Sequence, residues 1–169
     1  MKKFLPAVLL LCLIITLPSC GDGQTKQENK KIDAYITQDS SFTLTFPPTY
    51  DGGEYVAADC AKTANSVTLA ISSPQRSAGI TVKFDLTSGT SSLVFSDEVS
   101  VPLSAEASAG LCEVFCSLYP QSYTIAASED GENRLILSDS GSSCVDKNGY
   151  PIKILCGKRE IEVSSFAAK

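Results

Sequence analysis

Hydrophobic and polar residues alternate along much of the chain after Phe42, in short runs separated by turn residues. In the clearest run, residues 80–86, every second position is Ile, Val, Phe or Leu, and Thr, Lys and Asp stand between them. A period of two is typical of a strand with one buried face. Asn148-Gly149 is a strong signal for a hairpin turn between two such runs. The pattern predicts about nine strands in an antiparallel sheet.

The periodicity changes between Ser104 and Pro120. Leu111, Phe115 and Leu118 recur there at helical spacing. Ser104 stands where the N-cap of a helix is expected, and Pro120 ends the run. An apolar sheet face needs a cover, and this helix can supply it. The expected fold class is therefore mainly β (α+β). It is a curved antiparallel sheet, or half-open β-barrel, covered by one amphipathic helix.

The N-terminal region has the pattern of an export signal. A basic start, residues 1–3, precedes an apolar run over residues 4–17, which is shorter than the roughly 20 residues of a membrane span. Leu17-Pro18-Ser19-Cys20 resembles the lipobox of bacterial lipoproteins, although Pro18 departs from the usual small residue. The resemblance implies diacylglycerol on Cys20, which would anchor the protein to the extracytoplasmic face of the bacterial cell membrane. An ordinary secretory peptide and an uncleaved anchor helix are the alternatives.

This interpretation divides the chain into three parts. Residues 1–19 are the lipoprotein signal peptide, and residues 20–31 are the lipidated cysteine with a flexible tether that contains no hydrophobic residue after Cys20. Residues 32–169 form a single domain. Without residues 1–19 the chain carries 12 basic and 19 acidic residues, a formal charge of −7. An acidic protein of this kind is not expected to bind nucleic acid.

The chain contains no histidine, which excludes Ser-His and Cys-His nucleophile pairs and every histidine-containing metal site. We therefore expect no catalytic residue, no cofactor and no metal. The cysteines beyond Cys20 lack the paired spacing of a zinc site. Their odd number leaves two alternatives open. Either the chain contains one or two disulfides, or most of these cysteines are free thiols packed in the protein. These residues are Cys60, Cys112, Cys116, Cys144 and Cys156.

The order of the elements resembles that of small Firmicutes-type lipoproteins with the LolA-like fold. The most recognisable piece is Asp146, Gly149, Pro151 and Ile154 in DKNGYPIKI. The resemblance covers residues 42–166 and implies a half-open barrel whose concave face carries acyl chains or lipoproteins in the best-studied members. Other members of this shape act in spore germination. The five cysteines depart from the family.

Two functions from different classes follow. The first is a binding module whose concave apolar face accepts an amphiphile or lipid-like ligand, while the simpler interpretation assigns the same residues to a filled core. The candidate lining is Phe42, Phe46, Val82, Phe84, Phe95, Leu111, Phe115 and Leu118. The second is an interaction or structural lipoprotein that holds an envelope protein through an edge strand or a free cysteine.

Catalysis is the least favoured class. Acidic residues are adjacent at Asp97-Glu98 and Glu129-Asp130, in predicted turns, where acids are usually solvated. Glu160 and Glu162 share one face of a predicted strand, which is more often a solvated surface than a catalytic pair. The serine-rich stretch 138–144 contains no base that could activate a nucleophile, and we predict a polar loop there.

Overall fold

The computed structural model describes residues 22–49, 51–96, 99–128 and 133–169. These ranges contain two α-helices, eleven strands and a short 3-10 helix at Gln75–Ser77. The signal peptide, Cys20, Asp97-Glu98 and Glu129-Asp130 lie outside the described residues. The helices are α1 (Asp22–Thr37) and α2 (Ala105–Leu118), and the strands are β1 (Ser40–Phe46), β2 (Val56–Thr63), β3 (Ser66–Ser73), β4 (Thr81–Asp85), β5 (Ser91–Ser96), β6 (Val99–Pro102), β7 (Thr124–Ala127), β8 (Arg134–Ser138), β9 (Gly141–Val145), β10 (Pro151–Cys156) and β11 (Arg159–Ala168).

All eleven strands form one antiparallel sheet in the order β6-β5-β4-β3-β2-β1-β11-β10-β9-β8-β7. The first and last strands pair at the centre, and β6 and β7 are the two edges. Helix α2 connects these edges and packs against β4, β5, β9 and β10. The predicted fold class, a curved antiparallel sheet covered by a helix, is confirmed. The described residues contain eleven strands instead of about nine, and two helices instead of one.

Helix α2 begins and ends where its sequence signals predict. The Ser104 hydroxyl accepts a hydrogen bond from the Ala107 amide at 3.2 Å, as an N-cap residue does. Val114, Phe115 and Leu118 are buried against the sheet. The rings of Phe115 and Phe84 on β4 are 5.3 Å apart between centroids. The helix therefore closes the sheet with an apolar face, as the 3.6-residue period requires.

Helix α1 replaces part of the flexible tether predicted for residues 20–31. It begins at Asp22, so the predicted domain boundary at residue 32 falls inside the helix. Ile32 and Tyr35 are buried in the core, and Ile36 packs against it. The Tyr35 hydroxyl donates to the Leu118 carbonyl of α2 at 2.7 Å. These apolar residues at helical spacing bind α1 to the fold, and the polar residues before them extend the same helix.

Lys62 on β2 holds the C-terminal end of α1. Its side chain is buried, and its ammonium donates to the Gln38 carbonyl at 2.9 Å and to the Thr37 carbonyl at 3.4 Å. A cation at the C-terminal end of a helix satisfies exposed carbonyls and interacts favourably with the helix dipole. At the other side of α1, the Tyr123 hydroxyl donates to the Asp33 carboxylate. The helix is thus fixed by polar contacts as well as by burial.

The DKNGYPIKI stretch forms the turn between β9 and β10. The Asp146 carboxylate accepts hydrogen bonds from the amides of Asn148, at 2.8 Å, and Tyr150, at 2.9 Å. Gly149 has a φ of +84°, and a Cβ there would lie 2.9 Å from the Lys31 Cβ of α1. Pro151 and Ile154 are fully buried. The motif therefore shapes a turn against which α1 packs.

The polar loop predicted over residues 138–144 is wrong, because this stretch forms the β8–β9 hairpin. Ser143, Cys144 and Val145 of β9 are buried. A Cβ on Gly141 would collide with the Ser117 hydroxyl of α2, so the glycine lets the strand approach the helix. Because Gly141, Ser142 and Ser143 carry no apolar side chain and Cys144 and Val145 are adjacent, the alternation of hydrophobic and polar residues that marks the other strands is missing from β9.

Candidate ligand-binding site

The middle of the concave sheet face is filled. Phe42, Phe84, Phe115 and Leu118, four of the eight predicted lining residues, are all buried in one continuous core. Helix α1 contributes Ile32 and Tyr35 to this core. Leu44, Ile154 and Ile161 close it from the sheet side. The sheet and the two helices therefore pack together through these buried side chains, as in an ordinary protein core.

A cleft of about 670 Å³ opens at one end of this core, between the first half of α2 and the β10–β11 turn. We call it the hairpin cleft. Phe46 and Leu111, two further predicted lining residues, belong to its wall. The other apolar side chains of the wall are Pro47, Pro48, Val56, Val114 and Ile161. The volume lies in the range of sites for small amphiphilic molecules.

Charged side chains surround the mouth of the hairpin cleft. Arg76 and Glu54 form an exposed ion pair, with 3.1 Å between Nη2 and Oε2. Lys158 in the β10–β11 turn and Arg159, the first residue of β11, line the cleft, as does Glu113 of α2. No ion pair engages Lys158 or Arg159 within the described ranges. The β10–β11 hairpin therefore presents two cations beside an apolar wall, in a protein whose overall charge is negative.

The last two predicted lining residues lie elsewhere. Val82 on β4 is half-buried and packs against the core. Phe95 is 67% exposed and lies where the β5–β6 pairing is irregular. Val99 and Val101 on the edge strand β6 are 53% and 49% exposed. The eight residues thus fall into a filled core, a cleft wall and an exposed edge, which period-two alternation does not distinguish.

A second cleft, of about 940 Å³, opens beside the last half of α2. We call it the thiol cleft because Cys112 and Cys116 form part of its wall. The β4–β5 turn, the β8–β9 turn and the Lys62 side chain complete the wall. The Sγ atoms of Cys112 and Cys116 are 3.4 Å apart. The sequence indicates the one-turn spacing of these cysteines but not the space beside them.

The cysteines differ in their surroundings. Cys60 and Cys156 are buried thiols, and Cys144 is buried in β9. Burial raises the pKa of the Cys60 thiol from 9.0 to about 12. Burial, with a further contribution from Cys112, raises the pKa of Cys116 to about 11. At neutral pH the Cys60 and Cys116 thiols are therefore protonated and behave as small apolar groups.

The candidate acids on β11 are on the surface. Glu160 and Glu162 are both exposed, and Glu160 accepts a hydrogen bond from the Lys153 ammonium on β10 at 2.8 Å. Ser140 lies in the β8–β9 turn. Within the four described ranges, no group of three or more Cys, Asp or Glu side chains could hold a metal ion. Neither α1 nor α2 has the length and apolarity that a membrane crossing requires.

Comparison with known proteins shows likeness in structure alone. No protein-family profile and no curated protein matches this chain in sequence. The chain is similar to an uncharacterized conserved protein from Thermus thermophilus, with a TM-score of 0.48 and 10% identity, covering 86% of this chain and 87% of the other. It is also similar to a LolA superfamily protein from Nitrosomonas europaea, with a TM-score of 0.44 and 8% identity, covering 85% and 93%. With TM-scores below 0.5, these likenesses assign neither a family nor a ligand.

Proposed function

We propose that the protein is a lipid-anchored lipoprotein of the cell envelope whose hairpin cleft binds an anionic amphiphile. The observation that carries the proposal is the composition of this cleft. Phe46, Val56 and Leu111 form an apolar wall, and Lys158 and Arg159 stand at its mouth. An amphiphile has the matching division into an apolar chain and a charged head.

The apolar wall would supply most of the binding free energy. Removing apolar surface from water contributes about 25 cal/mol per Å². The cations lie in an exposed turn, where solvent and salt weaken electrostatic attraction. They would therefore orient the ligand and favour an anionic head over a neutral one more than they would add affinity.

Anchoring rests on the lipobox-like sequence at residues 17–20. Cys20 comes two residues before the start of α1. Acyl chains on Cys20 would therefore bring the first turn of α1 to the membrane surface and keep the domain close to a source of amphiphiles. In this proposal the partner of the protein is the membrane itself, and the bound molecule is one of its single-chain components.

Ligand binding is tested with residues 21–169, which contain both helices and every described strand. We expect saturable uptake of a fluorescent fatty acid, with about one site per chain. Leu111→Ala should weaken uptake about tenfold, a loss of about 1.4 kcal/mol. Leu86→Ala is a matched control, because Leu86 is also a partly buried leucine but lines the thiol cleft. Equal affinity in the two variants, or no uptake at all, would refute the proposal.

Anchoring is tested by mass spectrometry of the intact protein from native membranes. The expected product begins at Cys20 and carries the mass of attached acyl chains. A Cys20→Ala variant, expressed in the same cells, should lack this mass and leave the membrane fraction. Recovery of the unprocessed chain without acyl mass would refute the anchor and leave the ligand proposal standing.

The exposed edge favours a second function, the docking of an envelope protein. Val99 and Val101 place apolar side chains on β6, and among the described strands this one pairs on one side alone, with β5. Such an edge can pair with a strand of another chain. If this function is the main one, Val101→Lys should abolish membrane-surface crosslinks to a partner while fatty-acid uptake stays unchanged.

A further inference from the structure

The thiol cleft contains a pair of sulfur atoms that the proposed function does not use. Cys112 and Cys116 lie one turn apart on α2, both half-buried, with their Sγ atoms 3.4 Å apart. The β4–β5 turn passes close by, and a Cβ on Gly89 would lie 3.7 Å from Cys112 Sγ. The Ser140 hydroxyl is within hydrogen-bonding reach of Cys116. Two sulfurs and one hydroxyl therefore share a small part of the cleft wall.

Helical geometry disfavours a disulfide between these cysteines. Residues one turn apart on a helix have Cβ atoms about 5–6 Å apart. A disulfide needs Cβ atoms about 3.5–4.5 Å apart. Closing the bond would therefore require the backbone of α2 to move, and this helix is fixed by Phe115 and Leu118 in the core.

A metal ion between the sulfurs requires less movement. Metal–sulfur bonds are about 2.3 Å long, so the two sulfurs of a nearly linear, two-coordinate ion stand about 4.3–4.6 Å apart. The pair can reach this range from 3.4 Å by small side-chain rotations towards the open cleft. The backbone of α2 can stay in place.

The donor set selects the kind of ion. Zinc sites need three or four protein ligands, and the described residues contain no such group. Thiolates without nitrogen ligands favour Cu(I), which accepts two sulfur ligands.

We propose that Cys112 and Cys116 form a binding site for a soft monovalent metal ion, Cu(I). Binding forms two copper–sulfur bonds and releases both thiol protons, so one Cu⁺ and two thiols give a bis-thiolate complex of charge −1 and two protons. No electron is transferred. Lys62 is the cationic side chain among the described lining residues of the same cleft. Because protons are released, affinity increases with pH.

The site is tested by titrating reduced residues 21–169 with Cu(I) under anaerobic conditions, in competition with a chromogenic Cu(I) chelator. We expect one tightly bound Cu(I) per chain and release of two protons per ion in weak buffer. Cys112→Ser and Cys116→Ser should each weaken binding by about 100-fold, since the second sulfur of a chelate acts at high effective concentration. The double variant keeps Cys60, Cys144 and Cys156 and controls for their contribution.

A second measurement needs no variant. Alkylation of the native chain, followed by peptide mass spectrometry, should modify Cys112 and Cys116 without Cu(I) and leave both unmodified with it. Full-affinity binding by the double variant, or equal alkylation with and without Cu(I), would overturn the proposal. A third result would also overturn it: oxidised glutathione rapidly forms a Cys112–Cys116 disulfide while the helix content stays unchanged. In that case α2 accommodates the shorter Cβ–Cβ distance of a disulfide.

Discussion

The middle of the concave sheet face and the hairpin cleft are built from the same kinds of residue but differ in what covers them. In the middle, Tyr35 of α1 and Phe115 of α2 are buried against the sheet in one continuous core. At the hairpin cleft, none of the described side chains of α1 belongs to the wall, and Phe46 and Leu111 face about 670 Å³ of open volume. An apolar sheet face is therefore a core or a binding wall depending on the helix placed over it.

Truncation of an aromatic residue should separate the two regions most strongly. Phe115→Ala removes a fully buried ring from the filled middle and should lower the free energy of unfolding by about 3–5 kcal/mol. Phe46→Ala removes a half-buried ring from the cleft wall and should cost about 1 kcal/mol. Urea denaturation followed by circular dichroism measures both. Equal losses would show that the two regions are packed alike.

Alkaline pH should destabilise the filled middle. Burial raises the pKa of Cys60 to about 12, and it also raises the pKa of Tyr35 and Tyr119. The folded state therefore holds these protons more tightly than the unfolded chain, and this stabilisation is complete below about pH 9 and is lost as pH increases towards the folded-state values. The midpoint of urea denaturation should decrease steadily above about pH 9. In a Cys60→Ala variant the midpoint should decrease less with pH. If the midpoint depends on pH as it does in the unchanged protein, Cys60 does not contribute to the alkaline destabilisation.

Tyr35→Phe tests the contact between α1 and α2. The variant removes the hydroxyl that donates to the Leu118 carbonyl and leaves the ring in place. We expect a loss of about 1–2 kcal/mol, because a buried carbonyl loses its partner. Urea denaturation measures the loss. Tyr150→Phe is the control, since Tyr150 is exposed and its variant should be neutral. A neutral Tyr35→Phe would mean that α1 is held by its apolar residues alone.

The charges of the β10–β11 turn should affect ligand preference more than stability. Lys158→Gln with Arg159→Gln should leave the unfolding free energy within about 0.5 kcal/mol, because both residues are exposed. The same variant should reduce the preference of the cleft for a fatty acid over the corresponding fatty alcohol about threefold. Competition for the fluorescent probe measures the preference. If the ratio of the affinities for fatty acid and fatty alcohol does not change, Lys158 and Arg159 do not take part in ligand binding.

The smallest effect is expected on the outer surface. Glu160→Gln breaks the ion pair with Lys153, whose Nζ–Oε2 distance is 2.8 Å. Because the pair is largely exposed, the loss should be less than about 0.5 kcal/mol and should decrease further in high salt. Glu162→Gln is the neighbouring control. A loss above about 1 kcal/mol would be inconsistent with a pair screened by solvent.

Much of the sheet could be predicted from the chain because alternation and turn signals are local. Residues 80–86 and Asn148-Gly149 mark a strand and a turn without reference to any other part of the fold. The β9 strand could not be predicted in this way. Only Cys144 and Val145 of its five residues are apolar, and Ser143 is buried in a strand that packs against α2. Its burial is therefore a tertiary effect that composition conceals.

Helix α1 shows a signal that was present but outweighed. Ile32, Tyr35 and Ile36 stand at helical spacing, but the polar residues before Ile32 favour a tether.

At the candidate site, in contrast, the sequence contains no signal that separates core residues from cleft residues. Phe84 and Phe46 occupy equivalent positions in alternating runs, yet one is fully buried and the other lines a cleft. This difference depends on where the helices lie over the sheet, and the local sequence around Phe84 or Phe46 does not specify the position of the helices.

The most direct test of ligand binding in the hairpin cleft is an NMR titration of ¹⁵N-labelled residues 21–169 with a medium-chain fatty acid. We predict that the shifted amide signals cluster around Val56, Leu111 and the β10–β11 turn, while the signals of Tyr35, Phe84 and Phe115 stay unchanged. Shifts concentrated at Tyr35, Phe84 and Phe115 would contradict this prediction, because they would mean that the ligand displaces α1 and occupies the middle of the sheet.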